Sequence, residues 1–159
     1  MDRTNTNGQH FQQTIKSEIT ISGAGIHTGK SVTMRLKPAE PNTGILFQRV
    51  DLPGQPIIKA DVDNVVETNR STTLAANGGK VSTIEHLLAS LVGMQVDNVL
   101  IEIDGEEVPI LDGSAQPFVE ALEKTGTIEQ EAKKVYYTIE HNISFVDEEK
   151  KVEMVALPY

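Results

Sequence analysis

The 159-residue sequence predicts an α+β fold: a mostly antiparallel sheet with two helices packed on it, followed by the first strands of a second, similar domain. Three observations carry that reading. Short stretches of alternating apolar and polar residues are separated by glycine- and asparagine-rich turn signals. Two other stretches repeat apolar residues at helical spacing, between start and stop signals. Past a charged segment at 129–134 the pattern turns to strand alone.

Residues 1–12 are polar and read as a flexible N-terminal extension, so the first domain is expected over 13–128. Ile15, Ile19 and Ile21 mark an extended segment, Thr14 to Ser22, which runs into a glycine-rich turn, Gly23-Ala24-Gly25-Ile26-His27-Thr28-Gly29-Lys30-Ser31. Ala24 to Ser31 matches a relaxed phosphate-loop pattern, with alanine in place of the first glycine. That motif needs a helix directly after the lysine, whose N-terminus faces the phosphates. Here Val32-Thr33-Met34-Arg35-Leu36 alternates and includes β-branched residues, which is a strand. The turn is therefore expected to be a hairpin with His27 at its tip. Gly44 to Gln48 and Arg70 to Ala76 are further strand candidates, and Asn77-Gly78-Gly79 is a strong turn signal.

Ser82 to Gly93 is the first helix. Ser82 and Glu85 have the spacing of a capping box, and Gly93 follows the last apolar position. Ile84, Leu87, Leu88, Leu91 and Val92 form one apolar stripe. At about 100° per residue, His86 falls on the opposite side of the helix and Glu85 on its flank. Val99 to Ile103 is a strand apolar enough to be partly covered on both faces, turned by Asp104-Gly105, after which Val108-Pro109-Ile110 returns. Ser114 is a candidate N-cap for the second helix, with Pro117 in its first turn, a buried face of Phe118, Ala121 and Leu122, and Gly126 as the stop. The charged stretch 129–134 reads as a linker. Alternation at Val135, Tyr137 and Ile139, then Ile143 and Phe145, then Val152, Met154 and Ala156, reads as the opening strands of an incomplete second domain at 135–159.

Composition narrows the function. The net charge is -9, and no Lys/Arg cluster forms a stripe, which argues against a nucleic-acid partner. Cysteine is absent, so disulfides and thiolate metal sites are excluded. The most apolar run, Leu87 to Val96, is too short to span a bilayer, and the polar N-terminus lacks the apolar stretch of a signal peptide. A cytoplasmic location is the expectation.

Glu85 and His86 admit two readings each. Glu85 is a helix cap or a general base; His86 is a solvated surface imidazole or a zinc ligand. Adjacent helical residues diverge too far for both to bind one ion comfortably, which suits a ligand beside a base that takes a proton from metal-activated water. Neither His-Glu-x-x-His nor His-x-x-Glu-His occurs. His27 is either an ordinary turn residue or a histidine displayed to a ligand.

Four stretches together resemble the UDP-3-O-acyl-N-acetylglucosamine deacetylases, the zinc amidases of lipid A biosynthesis. They are Gly25-Ile26-His27-Thr28-Gly29, Ser82-Thr83-Ile84-Glu85-His86-Leu87, Asp97-Asn98-Val99 and Val108-Pro109-Ile110-Leu111-Asp112-Gly113-Ser114-Ala115, in order and spacing from about Gln13 onward. The resemblance implies two domains of similar architecture with the active site between them. It implies that His86 is the first zinc ligand, Glu85 the general base, His27 a residue lining the site, and Ile26, Asn69, Arg70 and Ser71 positions near the substrate. The implied cofactor is one zinc ion, whose other ligands, a histidine and an aspartate in a His-x-x-x-Asp pattern, are expected downstream of Tyr159. The implied reaction is hydrolysis of the N-acetyl group of UDP-3-O-acyl-N-acetylglucosamine, giving acetate and UDP-3-O-acyl-glucosamine. On this reading the chain is an N-terminal part, inactive by itself, whose partner is the C-terminal domain of the same protein. The alternatives are a non-catalytic binding module on the same fold, in which Glu85 only caps, and a phosphate-loop nucleotide hydrolase.

Overall fold

A computed structural model describes residues 10–158. The central layer is a five-stranded sheet in the order β2-β3-β9-β4-β5, formed by β2 (Ile19–Ala24), β3 (Ser31–Pro38), β4 (Ile45–Arg49), β5 (Ile57–Lys59) and β9 (Val99–Ile103). Every neighbouring pair is antiparallel except β4 and β9, which run parallel. Alternation explains which face is covered. Val32, Met34 and Leu36 of β3 and Val99, Ile101 and Ile103 of β9 point into one core, while Arg35 and Lys37 on the other face pair with Glu102. Leu100 and Glu102 are half-buried, so β9 is covered in part on its second face.

Two helices, α1 (Glu85–Gly93) and α2 (Gln116–Thr125), close that core with Leu87, Leu91, Phe118 and Leu122. A three-stranded sheet of β6 (Val65–Glu67), β7 (Thr73–Ala76) and β8 (Gly79–Ser82) leads into α1. Strand β1 (Phe11–Ile15) pairs antiparallel with β10 (Thr127–Lys133), so the ends of this unit are tied together. A separate hairpin, β11 (Ile143–Asp147) with β12 (Val152–Ala156), follows. The α+β class is what the sequence predicts, and no helix is long and apolar enough to cross a membrane among the described residues.

Several expectations are corrected. The span 1–12 does not stay an extension to its end: β1 begins at Phe11, with Gln12 buried, while residues 1–9 lie outside the described residues. The segment Thr14–Ser22 is two strands in different sheets, because the chain turns at Lys16–Glu18, where the Lys16 amide donates to Gly126 O at 3.0 Å. The expected linker at 129–134 is mostly strand β10. Its charged residues face water, while Gln130 reaches in to accept from Asn98 at 2.7 Å. No strand forms at Val135–Ile139, where Val135 and Tyr137 are almost fully exposed and no described strand lies alongside. Val92, counted with the apolar stripe, is exposed at the open end of α1, and the buried set is Leu87, Ser90 and Leu91.

Candidate active site

The glycine-rich turn is a hairpin loop between β2 and β3, closed by the Gly25 amide donating to Lys30 O and the Gly29 amide to Gly25 O, both at 3.0 Å. A strand, not a helix, follows Lys30, so the phosphate-loop reading fails for the reason the sequence gives. Ile26 and His27 stand exposed on the loop, Ile26 at 59%.

Glu107 holds this loop from beneath. Its carboxylate accepts from the His27 amide at 2.9 Å, the Thr28 amide at 2.8 Å and the Thr83 hydroxyl at 3.1 Å, and the residue is only 2% exposed. Burial pushes the Glu107 carboxyl up, but the His27 amide, the Thr28 hydroxyl and amide, and the Thr83 hydroxyl outweigh it and hold the group below its ordinary value. Gly25 is the residue this approach requires: a Cβ there would overlap the Glu107 carboxylate and stand 2.5 Å from Thr28 Oγ1.

The segment entering α1 runs beside Glu107. The Ser82 amide donates to Glu106 O at 2.9 Å, and the Val108 amide donates to Ser82 O at 3.0 Å. Thr83 then adopts φ 58°, which a β-branched residue seldom accepts and which costs on the order of 1–3 kcal/mol. That turn prevents the expected capping box. Ile84 is the cap residue, with no side-chain capping bond, and the Ser82 hydroxyl goes to Glu106 O instead. Glu85, freed from capping, accepts the Thr72 amide.

This bond brings Glu85 to the loop between β6 and β7, which carries Asn69, Arg70 and Ser71, with Arg70 at φ 62°. Arg70 with its positive φ is outside strand geometry, and β7 starts at Thr73 rather than at Arg70. His86 lies outside the core, half-exposed, while its neighbour Leu87 is fully buried.

Asp112 belongs to the same neighbourhood. Its Oδ1 accepts from the Ser114 amide and hydroxyl, both at 2.9 Å. Those bonds hold its carboxyl below the usual range. Ser114 in turn accepts from the Gln116 amide at 3.1 Å, so it serves the start of α2 although Ala115 is the formal cap residue. Among the described residues, then, Glu85 is joined to the loop that carries residues 69–71, and His27 is joined through Glu107 to Thr83. Glu107 and Asp112 are the members that sequence reasoning missed as site residues. The only available signal was their place in and beside the Val108–Ala115 motif.

No three His, Asp, Glu or Cys side chains among the described residues stand together to hold a metal. A catalytic zinc centre takes three protein donors and keeps one position open. His86 fits as one such donor, with its imidazole outside the core, and the described residues do not complete the set.

The chain is similar in sequence to known deacetylases. The chain is 47% identical over 145 residues to the UDP-3-O-acyl-N-acetylglucosamine deacetylase of Citrifermentans bemidjiense, covering 91% of this chain and 48% of that protein. It is 48% identical over 147 residues to the bifunctional enzyme LpxC/FabZ of Bacteroides thetaiotaomicron, covering 92% of this chain and 32% of that protein. The bifunctional enzyme of Chlorobaculum tepidum is 47% identical over the same length. The model of the UDP-3-O-acyl N-acetylglycosamine deacetylase family, LpxC, matches residues 12–159, and the chain belongs to that family. It spans half or less of the length of these relatives.

Proposed function

We propose that the protein carrying these residues removes the N-acetyl group of UDP-3-O-acyl-N-acetylglucosamine, releasing acetate and UDP-3-O-acyl-glucosamine in lipid A biosynthesis, in the cytoplasm. The observation that supports this most is the family match across residues 12–159, with Glu85 and His86 adjacent at the exposed start of α1. In this reading residues 11–133 form the first domain, the β11–β12 hairpin opens the second, and the site lies between the two. His86 supplies one donor to a zinc ion, with a histidine and an aspartate from the second domain as the others. Zinc, when bound, supplies Lewis-acid polarisation of the acetamide carbonyl and makes a water acidic enough to lose a proton near neutral pH.

The rest falls to this chain's own side chains. Glu85 takes the water proton as the carbon–oxygen bond forms and returns it toward the amine as the carbon–nitrogen bond breaks. The Thr72 amide steadies the Glu85 carboxylate in one orientation. His27 and Ile26 on the hairpin loop, together with Asn69, Arg70 and Ser71, line the approach of the sugar nucleotide. The described residues alone bring too few donors together for a catalytic ion, and by themselves they are expected to be inactive.

The test uses the full-length protein with one equivalent of zinc, following acetate release. Glu85→Gln should lower kcat by about 100-fold or more while retaining zinc, and His86→Ala should lose the metal. The Glu85–Thr72 bond also suits a second reading, a non-catalytic module in which Glu85 serves only the fold. A folded, full-length parent protein that releases no acetate with zinc supplied would favour that module.

A further inference from the structure

Glu107 touches neither the proposed metal ligand nor the proposed base, yet three separate features of the chain converge on its carboxylate. The hairpin loop turns two successive amides, His27 and Thr28, onto it. Gly25 leaves out the side chain that would displace it. Thr83 holds a left-handed backbone and directs its hydroxyl at the same group. A buried carboxylate with four donors around it is rigidly held, and here its donors come from two different segments. One segment displays Ile26 and His27; the other delivers Glu85 and His86 two and three residues after Thr83.

We propose that Glu107 is a positioning residue that locks the His27 loop to the start of α1 and so sets the placement of His27 relative to the Glu85–His86 pair. This rests on the deacetylase reading for its kinetic consequence, but not for its geometric one. A loosened lock lets the two halves of the site drift, and misplacement of about 1 Å can lower turnover by about 100-fold. Glutamine keeps the size of Glu107 but offers one acceptor where two amides and two hydroxyls need acceptors, and turns an NH2 toward another donor.

The test is a set of variants in the full-length, zinc-loaded protein. Glu107→Gln should lower kcat roughly 10- to 100-fold with zinc content unchanged. Thr83→Ser, which keeps the hydroxyl, should stay within about twofold of the parent, whereas Thr83→Ala should fall with Glu107→Gln. The double variant Thr83→Ala/Glu107→Gln should be no worse than Glu107→Gln, because both remove the same tie. Should Glu107→Gln fail to fold, the Thr83→Ser and Thr83→Ala pair carries the same comparison. A folded Glu107→Gln with parental kcat, or equal kcat for Thr83→Ser and Thr83→Ala, overturns the proposal.

A second readout separates it from the deacetylase reading. If the parent protein releases no acetate, that reading fails, and amide resonances decide the geometry alone. Glu107→Gln should speed hydrogen exchange at His27 and Thr28 and shift the resonances of Glu85 and His86. Changes confined to Glu106–Val108 would overturn the lock.

Discussion

At the scale of single residues, charged groups in this molecule are placed by hydrogen bonds from fixed donors rather than by burial alone. Arg49 is nearly buried, pairs with both Asp51 oxygens at 2.8 Å, and donates also to Lys80 O. The Asp51 carboxyl is held below its ordinary value by the Arg49 hydrogen bonds first, with burial opposing them. A depressed carboxylate contributes stability that is present above its unfolded value, about 3.9, and is lost as pH falls through the lower folded value. Urea midpoints should therefore be flat from neutral pH to about 5 and drop below about 4. Asp51→Asn should show a shallower acid drop than the parent, and at neutral pH should cost about 2 kcal/mol for the lost charged hydrogen bonds. Asn98, 1% exposed, is the neutral counterpart: it accepts from the Gly44 amide at 2.8 Å and donates to Gln12 and Gln130. Asn98→Ala strands these partners and should lower the thermal midpoint clearly, by about 1–3 kcal/mol in free energy.

At the scale of elements, what the sequence makes legible is whatever rests on local periodicity. β3 and β9 alternate because one face meets the core, and α2 shows its Phe118–Leu122 face, its early proline and its Gly126 stop in plain order. Leu91→Ala in α1 removes a side chain with no exposed surface and should cost about 2–5 kcal/mol in a denaturation experiment. The misread elements are those decided by distant partners. Ser82 and Glu85 have capping-box spacing, but the Glu106–Val108 segment claims Ser82 and Thr72 claims Glu85. The polar stretch 129–134 lacks a strand-like apolar pattern and is strand only because β1 lies beside it. In the candidate site, Glu85, His86 and His27 are visible as chemistry-bearing types near turns and helix ends. Glu107 is invisible, since nothing local tells that a glutamate after Asp104-Gly105 lies under a loop eighty residues earlier.

At the scale of the whole molecule, packing is uneven. The unit built on the five-stranded sheet shares one core, while the β11–β12 hairpin exposes Ile143, Phe145, Val146, Met154 and Val155. A two-stranded ribbon is marginal by itself. Amide exchange in these 159 residues should therefore be fast at 143–156 and slow in β3 and β9, with an apolar dye binding to the hairpin side. Equal protection across both regions would show that something covers the ribbon.

The parallel pairing of β9 with β4 has a further effect on how the chain acquires its shape. β3 and β4 are consecutive in sequence but are kept apart by β9, which is made fifty residues later. During synthesis the middle of the sheet is thus the last piece to arrive, and until Ile103 emerges the two earlier strands have no common neighbour. Folding that waits on such distant contacts is slow, in the millisecond-to-second range of about 0.001–1 s. A nascent chain stopped before Val99 should stay protease-sensitive on the ribosome, and one extended past Lys133 should become resistant in a single step.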